Sequence, residues 1–298
     1  MIPFVRDIAF EYGRAEQVSP LIRRVIANNP GPFTFTGTGT YVVGHGNVAV
    51  IDPGPDLDEH LDALMRATHG ERIAAIVVTH THLDHSPLAK PLAQATGARV
   101  YGLPAPQVGD AVVRLDEGHD GAFRPDEQVI DGQRLSGPGW TLEAVTTPGH
   151  ASNHICWALI EENALFSGDH VMGWSTTVVS PPDGDMADYY ASLDKVSERG
   201  FSRLWPTHGP PVDEVAAFLA AYKAHRRERE RQILDQLAQG RGRIGDMVRV
   251  IYADIDARLH PAAAHSVLAH LIQLERAGAV VRFEQAGEPD HYRLRASA

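Results

Sequence analysis

Thr79-His80-Thr81-His82-Leu83-Asp84-His85 places three imidazoles and a carboxylate within six residues. It follows an apolar run, 73–78, that reads as a short buried strand with polar groups at its C-terminal tip. Neutral imidazole and ionised carboxylate are the donors that Zn²⁺ accepts. Along one regular strand, alternation sets His80, His82 and Asp84 on one side and His85 on the other. A loop opening into a helix at Ser86 instead lets the set divide between two ions. Three further stretches stand where a completed site needs them: Thr147-Pro148-Gly149-His150, with His154 four residues on; Gly168-Asp169-His170; and Pro206-Thr207-His208-Gly209. Each reads as a strand tip or the turn after it, and each presents a polar side chain.

Outward from these motifs, residues 18–26 and 40–51 read as strands, the latter with Gly44-His45-Gly46-Asn47 as a hairpin turn. Helical spacing runs over 56–68, with Leu57, Leu61, Leu64 and Met65 on one face. A helix at 86–96 and a strand at 98–101 follow. Past an irregular acidic stretch come strands at 140–146, 154–160 and 164–166. A helix at 187–199 carries Tyr190, Leu193 and Val196, and a strand fills 202–205. Residues 212–239 read as one long helix or two with a break. The halves echo each other. Val48-Ala49-Val50-Ile51 ends in Asp52, and Ala164-Leu165-Phe166-Ser167-Gly168 ends in Asp169. Each leads to a helix and then to a strand closing in Thr-His. From about 225, helices fit 226–238, 244–253 and 261–277, and strands fit 280–283 and 291–294 around Gly287-Glu288-Pro289-Asp290. Three helices and a β-hairpin make a winged-helix plan.

With 298 residues, 43% of them hydrophobic, the chain suits one large domain with a small appendix, expected as 1–222 and 223–298. That apolar content excludes disorder as its main state. No run approaches the roughly 18 apolar residues of a membrane span. The start, Met1-Ile2-Pro3-Phe4-Val5-Arg6-Asp7, lacks a secretion signal's basic-then-apolar layout, and the single Cys156 has no internal disulfide partner. A reducing cytoplasm is the expected compartment. The net charge of −11 is uneven: residues 223–298 carry 13 Lys+Arg against 10 Asp+Glu, and residues 1–222 carry 14 against 28. An acidic body of −14 repels polyanions at long range.

The four motifs in this order resemble the metallo-β-lactamase superfamily, whose signature is an HxHxDH run, a Gly-His, an Asp at a strand end and a late His. The resemblance implies an αββα sandwich, an α/β fold of two mixed sheets between helices. It also implies that His80, His82 and His150 hold one metal ion, that Asp84, His85 and His208 hold a second, and that Asp169 bridges them. Asp52, in Asp52-Pro53-Gly54, matches the family's early Asp, which supports a metal-bound His from behind. Residues 162–186 and the run His225-Arg226-Arg227-Glu228-Arg229-Glu230-Arg231-Gln232-Ile233-Leu234 are similar to the lactamase-β-like protein 2 group with its C-terminal winged helix. Ser86-Pro87 replaces the Gly-Gly of many thioester-hydrolysing relatives, which speaks against glyoxalase II. His82 replaces the Glu of diiron oxygen-reducing relatives, which favours zinc and hydrolysis.

These implications define a cytoplasmic hydrolase with two Zn²⁺ per chain, Mn or Fe being alternatives, acting through a metal-bound hydroxide on a small ester, thioester or lactam. Asp84 is the expected catalytic proton acceptor. Cleavage of single-stranded RNA is the second reading, and a non-catalytic metal-binding regulator the alternative of another class. His154 is expected in the core or near the ligands as support, with substrate contact as its alternative, and His170 near the ligands as support, with an outward loop position as its alternative. Trp174, Ser175, Thr176 and Tyr190 are candidate substrate contacts. His45, His60, His69, His119, His260, His265, His270 and His291 are expected at the surface, and Cys156 as a buried inert thiol. The helix 261–277 offers too few cations for sequence-specific DNA reading, and Arg226, Arg227, Arg229 and Arg231, interleaved with Glu228 and Glu230, read as a solvated salt-laced face. No membrane contact is expected; a homodimer is allowed for.

Overall fold

The computed structural model describes residues 2–107, 118–285 and 288–296. Seven strands form one sheet in chain order: β1 (Glu16–Gln17), β2 (Ile22–Ile26), β3 (Gly39–Val43), β4 (Asn47–Ile51), β5 (Arg72–Val77), β6 (Arg99–Gly102) and β7 (Glu127–Gln128). A second sheet holds β8 (Arg134–Gly137), β9 (Trp140–Thr146), β10 (Ile155–Leu159), β11 (Ala164–Gly168) and β12 (Arg203–Pro206). The helices are α1 (Asp58–Ala67), α2 (Ala89–Thr96), α3 (Met186–Arg199), α4 (Val215–Ala238), α5 (Ile244–Ile251) and α6 (His260–Arg276). A hairpin of β13 (Val280–Gln285) and β14 (Glu288–Leu294) follows.

Strand alternation builds the layers. On β4, Ala49 and Ile51 face the second sheet, while Val48 and Val50 pack under Ala63 and Leu64 of α1. On β10, Ile155, Trp157 and Leu159 face the first sheet, while Cys156 and Ala158 join Leu193 of α3 and Leu219 of α4. The order is helix, sheet, sheet, helix, an αββα sandwich. Large side chains such as Trp140, Trp157 and Phe166 fill the space between the sheets, and burying such a side chain contributes about 1.5–3 kcal/mol. The echo between the halves is structural: β4 pairs parallel with β5 across α1, and β11 pairs parallel with β12 across α3. Asp52, His80, Asp169 and His208 therefore emerge at C-terminal strand tips along one rim of the sandwich.

α4 is a single 24-residue helix. Phe218, Leu219 and Tyr222 belong to the sandwich core, and Ile233 and Leu237 to a separate core with Met247, Val267, Leu271 and Val280. The boundary expected after residue 222 falls inside this helix. The C-terminal unit is a winged helix, and Gly287 of its expected turn lies outside the described residues. Among the described residues, no helix is long and apolar enough to cross a membrane.

Several sequence expectations need correction. Residues 18–26 do not form one strand: Ser19-Pro20 turns the chain, Pro20 has no N–H to give a ladder, and β1 pairs antiparallel with β2. His60, His270 and His291 are buried, not at the surface. His60 accepts burial because Thr40, whose hydroxyl donates to Asp52 O, pairs with its Nε2 at 2.8 Å. Arg226 is only 3% exposed, and Arg229 lies over the Tyr252 ring at 4.6 Å, so neither belongs to a solvated face. Arg231 does, pairing with Glu228 and Asp235. Cys156 is buried as expected, and burial pushes its thiol up to about 12.

Candidate metal centre

β5 stops at Val77, and the chain past Thr79 turns instead of alternating. The N–H groups of His85 and Ser86 both return to His82 O. His80, His82 and His85 therefore turn to the same side, where strict alternation would have parted them. His82 Nδ1 stands 2.9 Å from His80 Nε2 and 3.3 Å from His150 Nε2. Donors of a tetrahedral zinc site, bound at roughly 2.0–2.1 Å, stand roughly 3.3 Å apart. Beside this trio, Asp84 Oδ2 lies 3.0 Å from His208 Nε2 and 3.3 Å from His85 Nε2. Asp169 sits between the two sets: Oδ2 is 3.7 Å from His85 Nε2 and 3.8 Å from His150 Nε2, and Oδ1 is 3.4 Å from His208 Nε2. All seven side chains are buried.

The donor chemistry calls for a cation. His150 Nδ1 donates to Val178 O at 2.6 Å, and His208 Nδ1 to Gly37 O at 3.2 Å. In the neutral rings both Nε2 atoms then carry lone pairs aimed at other lone pairs. His85 Nε2 and Asp169 Oδ1 are buried without a hydrogen-bond partner. Buried acceptors facing one another are costly unless a proton or a metal ion lies between them. Three groups of donor atoms could hold such an ion: His80, His82 and His150; His80, His85 and Asp169; Asp84, His85 and His208. The electrostatics mark the same demand for positive charge: burial would lower His85 and His208, but the carboxylates of Asp84, Asp52 and Asp169 outweigh it at His85 and those of Asp169 and Asp84 at His208, and both are raised. Burial, reinforced by His85, His82 and His150, holds His80 well below the usual imidazole range. Burial alone would raise Asp84 and Asp169, but the neighbouring imidazoles outweigh it and keep both carboxylates ionised.

Asp52, with φ of +48°, aims its carboxylate under this centre. Oδ1 accepts from Thr79 N–H at 2.7 Å, and Oδ2 from the hydroxyls of Thr79 at 2.8 Å and Thr207 at 3.0 Å and from His85 Nδ1 at 2.9 Å. One carboxylate thus ties the tips of β5 and β12 together and fixes which nitrogen His85 offers. His154 donates from Nδ1 to Thr147 Oγ1 at 2.8 Å and accepts from Asp169 N–H at 3.2 Å, so it supports that residue's backbone. His170 is buried against Tyr189, not outward, and its carbonyl accepts from the Tyr189 hydroxyl.

A small cavity opens over the ligand sets, walled by Phe33, Met172 and Val178. Trp174 stacks on Phe35 at 4.8 Å, outside that wall. Ser175 and Thr176 are half-buried in the same segment, and Tyr190 lies on α3 with its ring 6.5 Å from His270. Sequence reasoning missed Phe33, Met172 and Val178, which carry no motif. It also missed Thr79 and Thr207, although each precedes a strand-tip His, and Arg226. The spacing Val215, Leu219, Tyr222, Arg226, Ile233, Leu237 puts Arg226 on the buried stripe of α4, a signal that the charge pattern obscured.

Residues 34–208 match the model of the "Metallo-beta-lactamase superfamily" and residues 244–288 that of the "Beta-lactamase associated winged helix domain". The chain belongs to the metallo-beta-lactamase superfamily and carries its associated winged helix. It is 33% identical over 270 residues to a "Beta-lactamase-like protein 2 homolog" of Caenorhabditis elegans, spanning 89% of this chain and 88% of that one. It is 33% identical over 229 residues to an "Atrochrysone carboxyl ACP thioesterase" of Aspergillus chevalieri, spanning 76% and 68%. Among solved structures, a beta-lactamase domain protein from Burkholderia ambifaria shares the fold at TM-score 0.80 and 21% identity, covering 99% of this chain and 97% of that one. The protein TTHA1623 in a di-iron-bound form aligns at TM-score 0.51 and 27% identity, covering 64% and 96%.

Proposed function

We propose that this superfamily hydrolase works with two zinc ions and cleaves small acyl esters and thioesters. The observation that carries the reading is Asp169, poised between two sets of three donors. His80, His82 and His150 would hold one ion, Asp84, His85 and His208 the other, and Asp169 would serve both. Two divalent ions bound there supply acidified water and a Lewis acid for the carbonyl oxygen.

The chain's own residues prepare the site for that chemistry. Val178 O, Gly37 O and Asp52 each hold the rear nitrogen of one imidazole, so the front nitrogens of His150, His208 and His85 are committed to the centre. Asp84, kept ionised beside His85 and His208, is the group available to take a proton from water at the centre. Phe33, Met172 and Val178 give the approach an apolar wall against which an acyl chain can pack. No Lys or Arg lines the cavity among the described residues, so nothing there tracks a phosphate backbone. The thioesterase named among the relatives acts on a carboxyl-acyl carrier substrate by its name, and that class fits this wall.

The test is the metal-free protein, reloaded with two equivalents of zinc and offered a short acyl thioester and single-stranded RNA. Thiol release that returns with zinc and disappears with a chelator supports the reading. Chelator-sensitive RNA cleavage without thiol release would replace the substrate class. A zinc-loaded protein inert on both would point to a non-catalytic regulator.

A further inference from the structure

The segment 169–178 begins at Asp169 and ends at Val178, whose carbonyl orients His150. It is an irregular stretch, so ladder hydrogen bonds do not fix it. Backbone bonds hold its first half, with Val5 N–H donating to Gly173 O at 3.0 Å and His170 N–H to Ser167 O at 3.0 Å, and the Ser167 hydroxyl donates to Val171 O at 2.8 Å; side chains fasten the rest. Within it, the Thr177 hydroxyl donates to Asp169 O at 2.8 Å. From α3, the Tyr189 hydroxyl donates to His170 O at 2.7 Å. Three more come from α4. The Tyr222 hydroxyl accepts from Thr177 N–H at 2.9 Å and donates to Ser175 O at 2.8 Å. Arg226 Nη2 donates to Thr177 O.

Arg226 is an unusual residue for this duty. Its guanidinium is buried, lies 5.1 Å over the Tyr189 ring, and pairs with no carboxylate among the described residues. A buried charge of this kind persists only when dipoles and a ring face answer it. Here the answering groups are the Thr177 carbonyl and Tyr189. Thr177 and Val178 are consecutive, so the peptide that Arg226 grips at one residue presents at the next the carbonyl that selects the His150 tautomer. The helix that runs on into the winged helix thereby reaches two of the seven candidate ligands without touching either.

We propose that Tyr222 and Arg226 are positioning residues for the metal centre, acting on Asp169 and His150 through the segment 169–178. This rests on the metal reading above and gives the long helix a role in it. The main variant is Tyr222→Phe, which deletes one hydroxyl and keeps the ring packed against Phe218. Arg226→Met and Arg226→Lys accompany it, and Arg229→Ala, on the same helix but stacked on Tyr252, is the control. Zinc affinity is read by chelator competition, ligand geometry by the visible spectrum of the cobalt-loaded protein, and folding by thermal unfolding of the metal-free chain. Partners that orient metal ligands typically change affinity about 10- to 100-fold.

The expected result is a tenfold or greater loss of zinc affinity and an altered cobalt spectrum in Tyr222→Phe, with metal-free unfolding close to wild type. Arg226→Lys should recover part of what Arg226→Met loses, and Arg229→Ala should bind as wild type. If Arg226→Met fails to fold, Tyr222→Phe decides. Zinc affinity and spectrum unchanged in Tyr222→Phe, with only stability lowered, would overturn the inference while leaving the metal reading intact. A wild-type chain that binds no zinc would overturn both.

Discussion

Single side chains at the rim carry most of the chemistry, and Asp52 shows how. It makes four accepted hydrogen bonds and offers nothing to the centre itself. Asp52→Asn keeps the size but presents an amide where donors already point. We expect a folded protein whose zinc affinity, measured against a chelator, falls about 10- to 100-fold; unchanged affinity would contradict the role given to Asp52. His270 acts on stability instead. Burial, reinforced by Arg226, His225 and Arg229, pushes it down to about 3. The unfolded chain takes up that proton near pH 6.5 and the folded chain resists it. The stability His270 permits is therefore whole above about pH 6.5 and declines as pH falls toward 3. Between pH 6.5 and 5 the loss is about 2 kcal/mol. Denaturant unfolding of the metal-free protein should show His270→Leu flattening this acid slope, and an unaltered slope would count against it.

Whole elements explain why the rim side chains meet. Four parallel-paired strands, β4 with β5 and β11 with β12, end at the same edge, and the turns after them need special backbone. Gly149 has φ of +138°, and a Cβ there would sit 2.4 Å from Tyr189 Cα on α3. Gly149→Ala must push α3 away from the turn that presents His150. We expect a cost of about 2–3 kcal/mol in denaturant unfolding together with weakened zinc binding. At this scale the sequence was largely readable, because strand alternation, the Thr-His echoes and turn residues are local signals. Asp52 and Asp169 announced themselves as strand-end carboxylates. The exceptions have physical causes. Ser19-Pro20 breaks a run whose apolar content alone suggested one strand. Arg226 looked solvated because Glu228 and Glu230 flank it in sequence, whereas its burial is set by the i, i+4 step from Tyr222. His60 and His270 lacked any local mark of burial, since each is buried by partners distant in sequence.

The molecule as a whole is a sandwich and a winged helix joined by one uninterrupted helix, α4, with one end in each core. α6 closes the junction: Arg276 pairs with Asp185 at the start of α3, and His265 Nδ1 lies 2.7 Å from Ser180 Oγ. The winged helix thus leans on the elements that flank the site, and the acidic body gives a nucleic acid no long-range attraction. On the proposed reading, seven buried side chains from four stretches of chain would enclose two adjoining ions. Anomalous diffraction at the zinc edge, on crystals of the zinc-loaded protein, would locate them. Two peaks per chain are expected, roughly 3.5–4 Å apart, one among His80, His82 and His150 and one among Asp84, His85 and His208, with Asp169 between them. A single peak, or peaks placed elsewhere, would contradict that reading.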